Sequence, residues 1–471
     1  MSNHHDKSRR KFVGQVSCAG LGYATLMNSI LNLKALNAAA ISSANPPGYK
    51  ALVCIFLGGG NDSFNMLLPR STSKYNEYAA TRSDLAIPQN QILPINPLTS
   101  DGHQYGVHPS MAGVQNLFEN GKLSFISNVG TLIDSITKTQ FYNNSAAMPL
   151  GLFSHADQAQ QWQTSILDQR TARGWAGKIS DLIGDQNNNQ NISMNISLAG
   201  TNVFQSGNNS VEYAIDPYNG AIGIDGYEPN SSWIFNQLKT EAVNSLMEHN
   251  YQDVFKKTYA ETIINARDAH AEFTSAIDTF GGFNNVTFSD NYFSKGLEQV
   301  AKTIAVKDTL DFQRQIFFLS FDGWDHHDEV LNAQTGMLGV LSDGLAEFNT
   351  AMEELGSEDD VLTFSVSEFG RTLTSNGQGS DHGWGGNVMI MGGGNAINGK
   401  EIYGSYPSLV LDGSQEIGGG VFIPTTATDM YFAEIAKWFG VDDGDLSTIF
   451  PQLSNFYTVG SPNMPIGFLN P

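Results

Sequence analysis

Apolar runs that end abruptly in polar residues recur along this chain and predict buried strands. Residues 51–57 form a continuous apolar run that ends in three glycines, and the run 315–321 ends directly in acidic residues and histidines. Runs that stay apolar, rather than alternating with polar residues, are typical of central strands in a parallel sheet. Shorter stretches of similar character predict further strands at 123–129, 361–366 and 388–391.

Helical periodicity separates these predicted strands. Apolar residues spaced by three and four predict helices over 111–120, 231–277, 331–355 and 425–439. Alternation of strands and helices in the first and last thirds predicts an α/β fold, with a doubly wound, mostly parallel sheet flanked by helices. We expect one domain over residues 41–471, with 205–310 as a mainly helical insertion or cap.

The first forty residues carry the features of an export signal. Residues 8–13 match the twin-arginine pattern, a weakly apolar stretch spans 16–33, and three alanines at 38–40 suit cleavage. A basic arm on a helix is the alternative. We expect residues 1–40 to be a twin-arginine signal peptide and the mature protein to be periplasmic or secreted. Polar residues interrupt the apolar stretch, so stable membrane insertion is not expected.

The net charge restricts the possible binding partners, and the cysteine positions restrict the possible disulfides. The chain has 25 Lys and Arg against 47 Asp and Glu, a net charge of −22. Such a surface repels nucleic acids and anionic lipids, so we expect no nucleic-acid role. Cys18 would leave with the signal peptide and Cys54 lies in the first predicted strand, so the mature chain has no pair for a disulfide.

The densest polar cluster follows a predicted apolar strand. Residues 322–329 hold four carboxylates and two histidines, which are costly beside a buried strand unless a cation pairs with them. Asp325 with His327 would give one divalent ion an oxygen and a nitrogen, and such mixed ligands suit zinc, manganese or iron. The pair Asp322 with His326 is left open by the sequence. An exposed polar turn is the alternative to a metal site.

Three further segments offer ligands of the same kinds. Asp62 follows the glycine-rich turn after the first predicted strand, Glu368 ends another strand, and Asp381 and His382 share a glycine-rich loop. Ligands bind beyond the carboxyl ends of strands in such sheets, so we expect one metal site gathered from distant segments. The local alternatives are a helix cap for Asp62, an ion pair with Arg371 for Glu368, and a flexible turn for the loop.

Several motifs occur in a specific order along nearly the whole mature chain. After the twin-arginine start come Gly-Gly-Asn-Asp-Ser-Phe-Asn at 59–65, Val-His-Pro-Ser-Met at 107–111, Ser-His-Ala-Asp-Gln at 154–158, Arg-Gly-Trp-Ala-Gly at 173–177, Gly-Trp-Asp-His-His at 323–327, Ser-Glu-Phe-Gly-Arg-Thr at 367–372 and Asp-His-Gly at 381–383. In this order the chain resembles domain-of-unknown-function family 1501, exported bacterial proteins grouped with the sulfatase-like alkaline-phosphatase superfamily. The resemblance implies an alkaline-phosphatase-like α/β core and no settled substrate.

The resemblance also implies a metal site. Asp62 would match the superfamily's first metal-binding Asp, while Asp325 and His327 would match the family's Asp-Thr-His, with a histidine in place of the threonine. The expected ligands of one or two divalent ions, zinc or manganese, are Asp62, Asp325, His327, Glu368, Asp381 and His382.

The two later motifs complete that expected set. Glu368 would take the place of the superfamily's later Asp, and His382 that of its final His. Asp381 would either ligate the metal or orient His382.

The nucleophile is the least determined part of the expected site. The superfamily uses a metal-bound Ser or Thr, or an oxidised Cys, and this chain lacks the sulfatase cysteine signature. Ser154 is the first candidate and Ser63 the second, with a helix cap as the alternative for Ser154. Arg371 would neutralise charge on the substrate anion. His108 and His155 would support the metal ligands or simply be buried.

Taken together, the residues and the resemblance predict an exported, metal-dependent hydrolase of a phosphate or sulfate ester. Its substrate would be a small molecule or a polysaccharide ester. The alternative is a non-catalytic secreted or cell-surface binding protein that retains the fold. The absence of a clear nucleophile motif favours this alternative.

Overall fold

Residues 48–470 are described by the structure, a computed structural model, and residues 49–470 form one compact unit. The expected signal peptide, residues 1–40, lies outside the described residues. Within residues 48–470, no helix has both the length and the apolar character required to cross a bilayer.

Thirteen strands and eleven α-helices follow one another in the described residues. The strands are β1 Lys50–Gly58, β2 Leu67–Pro69, β3 Leu93–Ile95, β4 Tyr105–Val107, β5 Leu123–Gly130, β6 Asn195–Ser197, β7 Tyr213–Asp216, β8 Gly220–Ala221, β9 Arg314–Asp322, β10 Val361–Val366, β11 Gly386–Met391, β12 Ile402–Tyr403 and β13 Thr426–Ala427. The helices are α1 Thr72–Arg82, α2 Ala112–Glu119, α3 Lys138–Tyr142, α4 His155–Thr164, α5 Trp175–Ile183, α6 Ile234–Met247, α7 Val254–Ile277, α8 Tyr292–Ala305, α9 Val330–Leu355, α10 Thr428–Phe439 and α11 Asp443–Ile449.

A mixed sheet of ten strands forms the centre of the unit, in the order β12-β5-β11-β10-β1-β9-β6-β7-β8, with β13 also paired to β5. Strand β1 lies between β9 and β10 and is parallel to both. Strand β11 is antiparallel to both of its neighbours. The predicted α/β class with a mostly parallel sheet is confirmed, and β11 is what makes the sheet mixed.

Helices cover both faces of the sheet, which explains why β1 is apolar throughout. Val53 and Ile55 pack into a core cluster that includes residues of α8 and α9. Leu52 and Cys54 point to the other face, in a cluster with residues of α5 and α10. A strand buried on both faces gains nothing from polar alternation, so its sequence is a continuous apolar run.

The region predicted as one helical stretch, 231–277, is two helices. Residues 248–253 separate α6 from α7, and the side chain of Asp253 caps α7 by accepting from the Lys256 amide at 3.0 Å. Within 205–310, strands β7 and β8 extend the main sheet, and α8 packs against β9 and α9.

Strand direction decides where the polar loops meet. Because β1, β9 and β10 are parallel, their carboxyl ends at Gly58, Asp322 and Val366 lie at one edge of the sheet. The antiparallel β11 begins at that same edge, at Gly386. The loops that carry the predicted ligands therefore converge.

Candidate metal centre

Close backbone contacts bring these loops together. Gly59, directly after β1, has φ +120°, and a β carbon there would lie 2.4 Å from the backbone nitrogen of Asp325. Only glycine fits both this conformation and this approach. On the other side, Arg371 and His382 form an antiparallel bridge that joins the two arms of the loop between β10 and β11.

Three imidazoles surround the carboxylate of Asp325. The Nε2 atom of His327 lies 3.0 Å from Asp325 Oδ1, and that of His382 lies 3.4 Å from the same oxygen. The Nε2 atom of His155, at the first position of α4, lies 3.4 Å from Asp325 Oδ2. Ligand atoms of His155, Asp325 and His382 all lie within 4.8 Å of one another.

The other ring nitrogen of each histidine faces a hydrogen-bond acceptor. Fixing Nδ1 in this way sets the ring orientation and leaves Nε2 for the centre of the cluster, as outer partners do for histidines that bind metals. The three pairs are His155 Nδ1 with Glu368 Oε1 at 2.9 Å, His327 Nδ1 with Asp381 Oδ1 at 3.1 Å, and His382 Nδ1 with the Phe153 carbonyl at 2.8 Å.

The tautomer of His382 follows from its partner. A carbonyl oxygen only accepts, so His382 Nδ1 carries the proton and Nε2 has a lone pair. Burial lowers the pKa of His382, which keeps the ring neutral at pH 7. His327 Nε2 lies only 3.1 Å from His382 Nε2. In the tautomer in which His327 Nδ1 donates to Asp381, its Nε2 also carries a lone pair, and a cation between the two Nε2 atoms would relieve their repulsion.

The distances between Asp325 and the three imidazoles are close to those between ligands of a tetrahedral ion. Ligand bonds of about 2.0–2.1 Å place the ligand atoms of a tetrahedral zinc site about 3.3 Å apart. The measured distances between Asp325 oxygens and imidazole nitrogens are 3.0, 3.4 and 3.4 Å. Partial burial acts to raise the pKa of Asp325, but the hydrogen bond and charge of Arg371, with His327 and His155, outweigh it and hold the pKa below its usual value. Asp325 is therefore ionised and able to ligate.

Arg371 is held inside the protein behind Asp325. Its Nη1 donates to Asp325 Oδ1 at 2.6 Å and to the Gly59 carbonyl at 3.3 Å, and its Nη2 donates to the Ser380 carbonyl. The side chain has no exposed surface. The expected alternative partner was Glu368, whereas the observed carboxylate partner is Asp325. Neutralisation of a substrate anion by Arg371 stays a prediction.

Two of the expected carboxylate ligands touch the histidines instead of the centre of the cluster. Glu368 accepts from His155 and from the Gly59 amide at 2.8 Å. Asp381 faces His327. The alternative expectation was that Asp381 would orient His382. A hydrogen bond from Asn376 is the main reason that the pKa of Asp381 is lowered. In this arrangement both carboxylates orient imidazoles, and their ligation of a metal stays a prediction.

Asp62 is not part of this cluster. It forms an ion pair with Arg82, and neither side chain has exposed surface. Its second oxygen, Oδ1, makes no hydrogen bond among the described residues. The ligand role of Asp62 therefore stays a prediction.

The two pairs that the sequence left open lie in different surroundings. Asp325 and His327 lie in the cluster. Asp322 is exposed and accepts from Ser320 at 2.7 Å, and His326 is buried beside Trp324. Burial is also the main reason that the pKa of His326 is lowered.

The candidate nucleophiles have structural roles in the described residues. Ser154 is the N-cap of α4, and its hydroxyl accepts from the Asp157 amide at 3.5 Å. Ser63 is buried and accepts from the Asn387 amide at 2.8 Å. His108 is also buried, and burial lowers its pKa to about 4. A nucleophilic role for Ser154 or Ser63 stays a prediction.

His155 is the member of the cluster that the sequence did not place among the ligands. Its position depends on where α4 begins, 170 residues before Asp325 in the chain, which no local pattern reveals. The sequence feature that could have pointed to His155 is the motif at 154–158, in which a histidine directly follows a helix-capping serine.

Solved structures with distant similarity to this chain include the following two. Ps i-CgsB in complex with k-i-k-neocarrahexaose is 12% identical, with 84% of this chain and 73% of that chain covered and a TM-score of 0.32. The PsFucS1 sulfatase from Pseudoalteromonas sp. is 10% identical, with 88% and 72% covered and a TM-score of 0.33. At TM-scores this low, neither structure informs the fold, metal or substrate of this chain.

No curated protein matches the sequence. The family model described as "Protein of unknown function (DUF1501)" matches residues 49–446, which is most of the chain and all of the cluster around Asp325. The chain therefore belongs to the DUF1501 family.

Proposed function

We propose that this protein is an exported, metal-dependent hydrolase of a phosphate or sulfate ester. One divalent ion, zinc or manganese, would be held by His155, Asp325, His327 and His382. The observation that carries this proposal is the convergence of three Nε2 atoms on one carboxylate, with each Nδ1 already engaged by an acceptor. Nitrogen and oxygen ligands in this proportion suit zinc and manganese.

Exposure of the cluster supports catalysis over a closed structural site. The side chains of His155, Asp325 and His327 are 37%, 43% and 46% exposed. A solute can therefore approach the side on which a catalytic site keeps an open coordination position. A bound divalent ion would polarise an ester oxygen and lower the pKa of the attacking water or hydroxyl.

The surrounding residues would hold the ligands in place. Glu368 fixes the ring of His155, and Asp381 fixes that of His327. Arg371 holds Asp325 from the buried side, so that Asp325 keeps its orientation whether or not substrate is present. A carboxylate oxygen has two acceptor sites, so Asp325 Oδ1 can accept from Arg371 and still bind an ion.

A non-catalytic binding protein with one metal is the second candidate. It is favoured by the positions of Ser154, which caps α4, and of Ser63, which is buried. In this case the ion would hold the converging loops in place and would take no part in a reaction.

The test is metal content and turnover of the mature protein, purified without a polyhistidine tag. Expected are about one transition-metal ion per chain by mass spectrometry and metal-dependent cleavage of p-nitrophenyl phosphate or sulfate. Asp325→Asn should lose both, whereas the matched control Asp322→Asn, an exposed carboxylate three residues away, should lose neither.

The outcomes separate the two candidates. Bound metal without turnover on a broad panel of esters would favour the binding protein. Absence of stoichiometric metal after reconstitution with zinc and manganese would overturn the hydrolase.

A further inference from the structure

Helix α6 and the first half of α7 form a hairpin whose residues lie outside the hydrophobic core clusters of the described residues. We call residues 233–263 the hairpin tip. Helix α6 packs mainly against α7, while the second half of α7 is anchored in the main core by Ala269, Phe273 and Ala276. The hairpin tip thus has its own surface, away from the sheet.

The apolar face of α6 points outward. Asn236, Thr240 and Met247 are the buried residues of α6, and the Thr240 hydroxyl accepts from the Glu228 amide at 2.9 Å. Phe235, Leu238 and Leu246 are each more than half exposed. A surface helix of a soluble protein normally buries its apolar stripe and exposes its polar one. This reversal indicates that the outward face of α6 meets a partner.

The exposed apolar surface is large for a single chain. Eight of the eighteen exposed large apolar residues among residues 48–470 fall on the hairpin tip, and each is more than half exposed. They are Trp233, Ile234, Phe235, Leu238, Leu246, Val254, Phe255 and Tyr259. At about 200 Å² for a full aromatic side chain and about 100 Å² for an aliphatic one, they expose about 800 Å². One side of a standard protein interface is about 800 Å².

A groove between the two helices concentrates part of this surface. It has a volume of about 740 Å³ and is lined mainly by apolar side chains. Leu246 on α6 and Phe255 and Tyr259 on α7 line it, and Phe255 is 87% exposed. Phe255, Tyr259 and Ile263 are spaced by four residues, so they form one stripe along α7.

The net charge of the hairpin indicates which kind of partner would bind this surface. The hairpin tip carries three basic and four acidic residues, a net charge of −1, whereas the whole chain has a net charge of −22. The hairpin tip is thus a nearly neutral region on an acidic protein, where a second copy would meet little repulsion. Helices that lie on anionic membranes carry an excess of Lys and Arg on their polar face, which α6 and α7 lack.

We propose that two copies of this chain associate through their hairpin tips about a twofold axis. Two helices from each copy would form a four-helix bundle, in which the outward apolar faces of α6 and α7 become the core. The inference does not depend on the metal centre or on the proposed hydrolase activity.

The experiment is sedimentation equilibrium of the untagged mature protein at micromolar concentrations. Wild type is expected to be a dimer. The double variant Leu246→Glu/Phe255→Glu is expected to dimerise more weakly, with a dissociation constant raised roughly tenfold or more. The reason is that residues at the centre of an interface carry most of the binding energy. The control Leu98→Glu/Val410→Glu adds the same charge at exposed apolar residues outside the hairpin and is expected to stay dimeric. Circular dichroism and thermal unfolding verify that each variant is folded.

A cysteine variant gives an independent readout. Cys54 is the free cysteine in the described residues and is buried. Leu246→Cys is therefore expected to form an intermolecular disulfide on mild oxidation, and Leu98→Cys is not. A monomeric wild type, or a hairpin variant that remains as dimeric as the control, would overturn the proposal. Monomeric wild type that cosediments with phosphatidylcholine–phosphatidylglycerol vesicles would assign the surface to membranes instead.

Discussion

Asp62 and Asp325 are two carboxylates that follow neighbouring strands of one sheet, and each pairs with a buried arginine. Asp62 and Arg82 have no exposed side-chain surface. Asp325 is 43% exposed, and Arg371 contacts it from one side while three imidazoles face it from the other. A carboxylate at a strand end is thus not a metal ligand by position alone. It becomes a candidate when neutral donors converge on it and solvent can reach it.

The two ion pairs should differ in what they do for the protein. A fully buried pair is strongly coupled to folding, because removing one partner leaves an uncompensated charge in the interior. When a neighbour of a half-exposed carboxylate is removed, the free energy of unfolding falls less, since water takes the place of the removed side chain. The comparison therefore predicts that disruption of Asp62–Arg82 lowers stability and that disruption around Asp325 lowers metal affinity.

The largest expected effect is on folding, at Arg82. Arg82→Met would leave Asp62 buried and unpaired, at a cost of about 3–5 kcal/mol in the free energy of unfolding. Urea denaturation of the metal-free protein measures this. The double variant Asp62→Asn/Arg82→Met should recover part of the loss, because no buried charge is left. A folded Asp62→Asn variant that lost its metal would contradict the separation of the two sites and restore Asp62 as a ligand.

The next effect is on metal binding, at His382. His382→Ala removes one converging Nε2 atom and should weaken metal affinity by more than about 100-fold, above the range seen for outer partners. The free energy of unfolding of the metal-free protein should change little. Competition with a chromophoric chelator measures the affinity, and His249→Ala, an exposed histidine on the hairpin, is the matched control. Equal metal affinities in the two variants would contradict a metal site formed by these four residues.

A smaller effect is expected where a carboxylate acts through a histidine. Glu368→Gln should weaken metal affinity by about 10- to 100-fold, because the carboxylate that fixes His155 becomes a neutral amide. Glu368 is 4% exposed and Asp381 is 60% exposed. Solvent screens the exposed pair, so Asp381→Asn should have the weaker effect. If Glu368 and Asp381 were themselves ligands, both variants would lose metal as completely as His382→Ala.

The sequence predicted the sheet better than it predicted the site, for physical reasons. Continuous apolar runs predicted β1, β9 and β10 almost to the residue, because burial on both faces leaves a local pattern. The direction of β11 left no such pattern, since β11 is antiparallel to β10 and yet buried at all six positions, as β10 is. The pairing of Asp62 with Arg82 and the arrival of His155 beside Asp325 are tertiary contacts. Motif composition therefore named loops that converge in the fold but not which side chains face each other.

The smallest effect is expected at Ser154 and distinguishes a helix cap from a nucleophile. Replacing a capping serine with alanine costs about 1 kcal/mol, and glycine costs only a few tenths. We therefore expect Ser154→Ala to lower the free energy of unfolding, Ser154→Gly to recover most of that loss, and metal content to stay unchanged in both. If turnover is detected in wild type, the same two variants decide the chemistry. Equal and complete loss of turnover in both, with metal retained, would assign Ser154 as the nucleophile, because glycine restores a cap but not a hydroxyl.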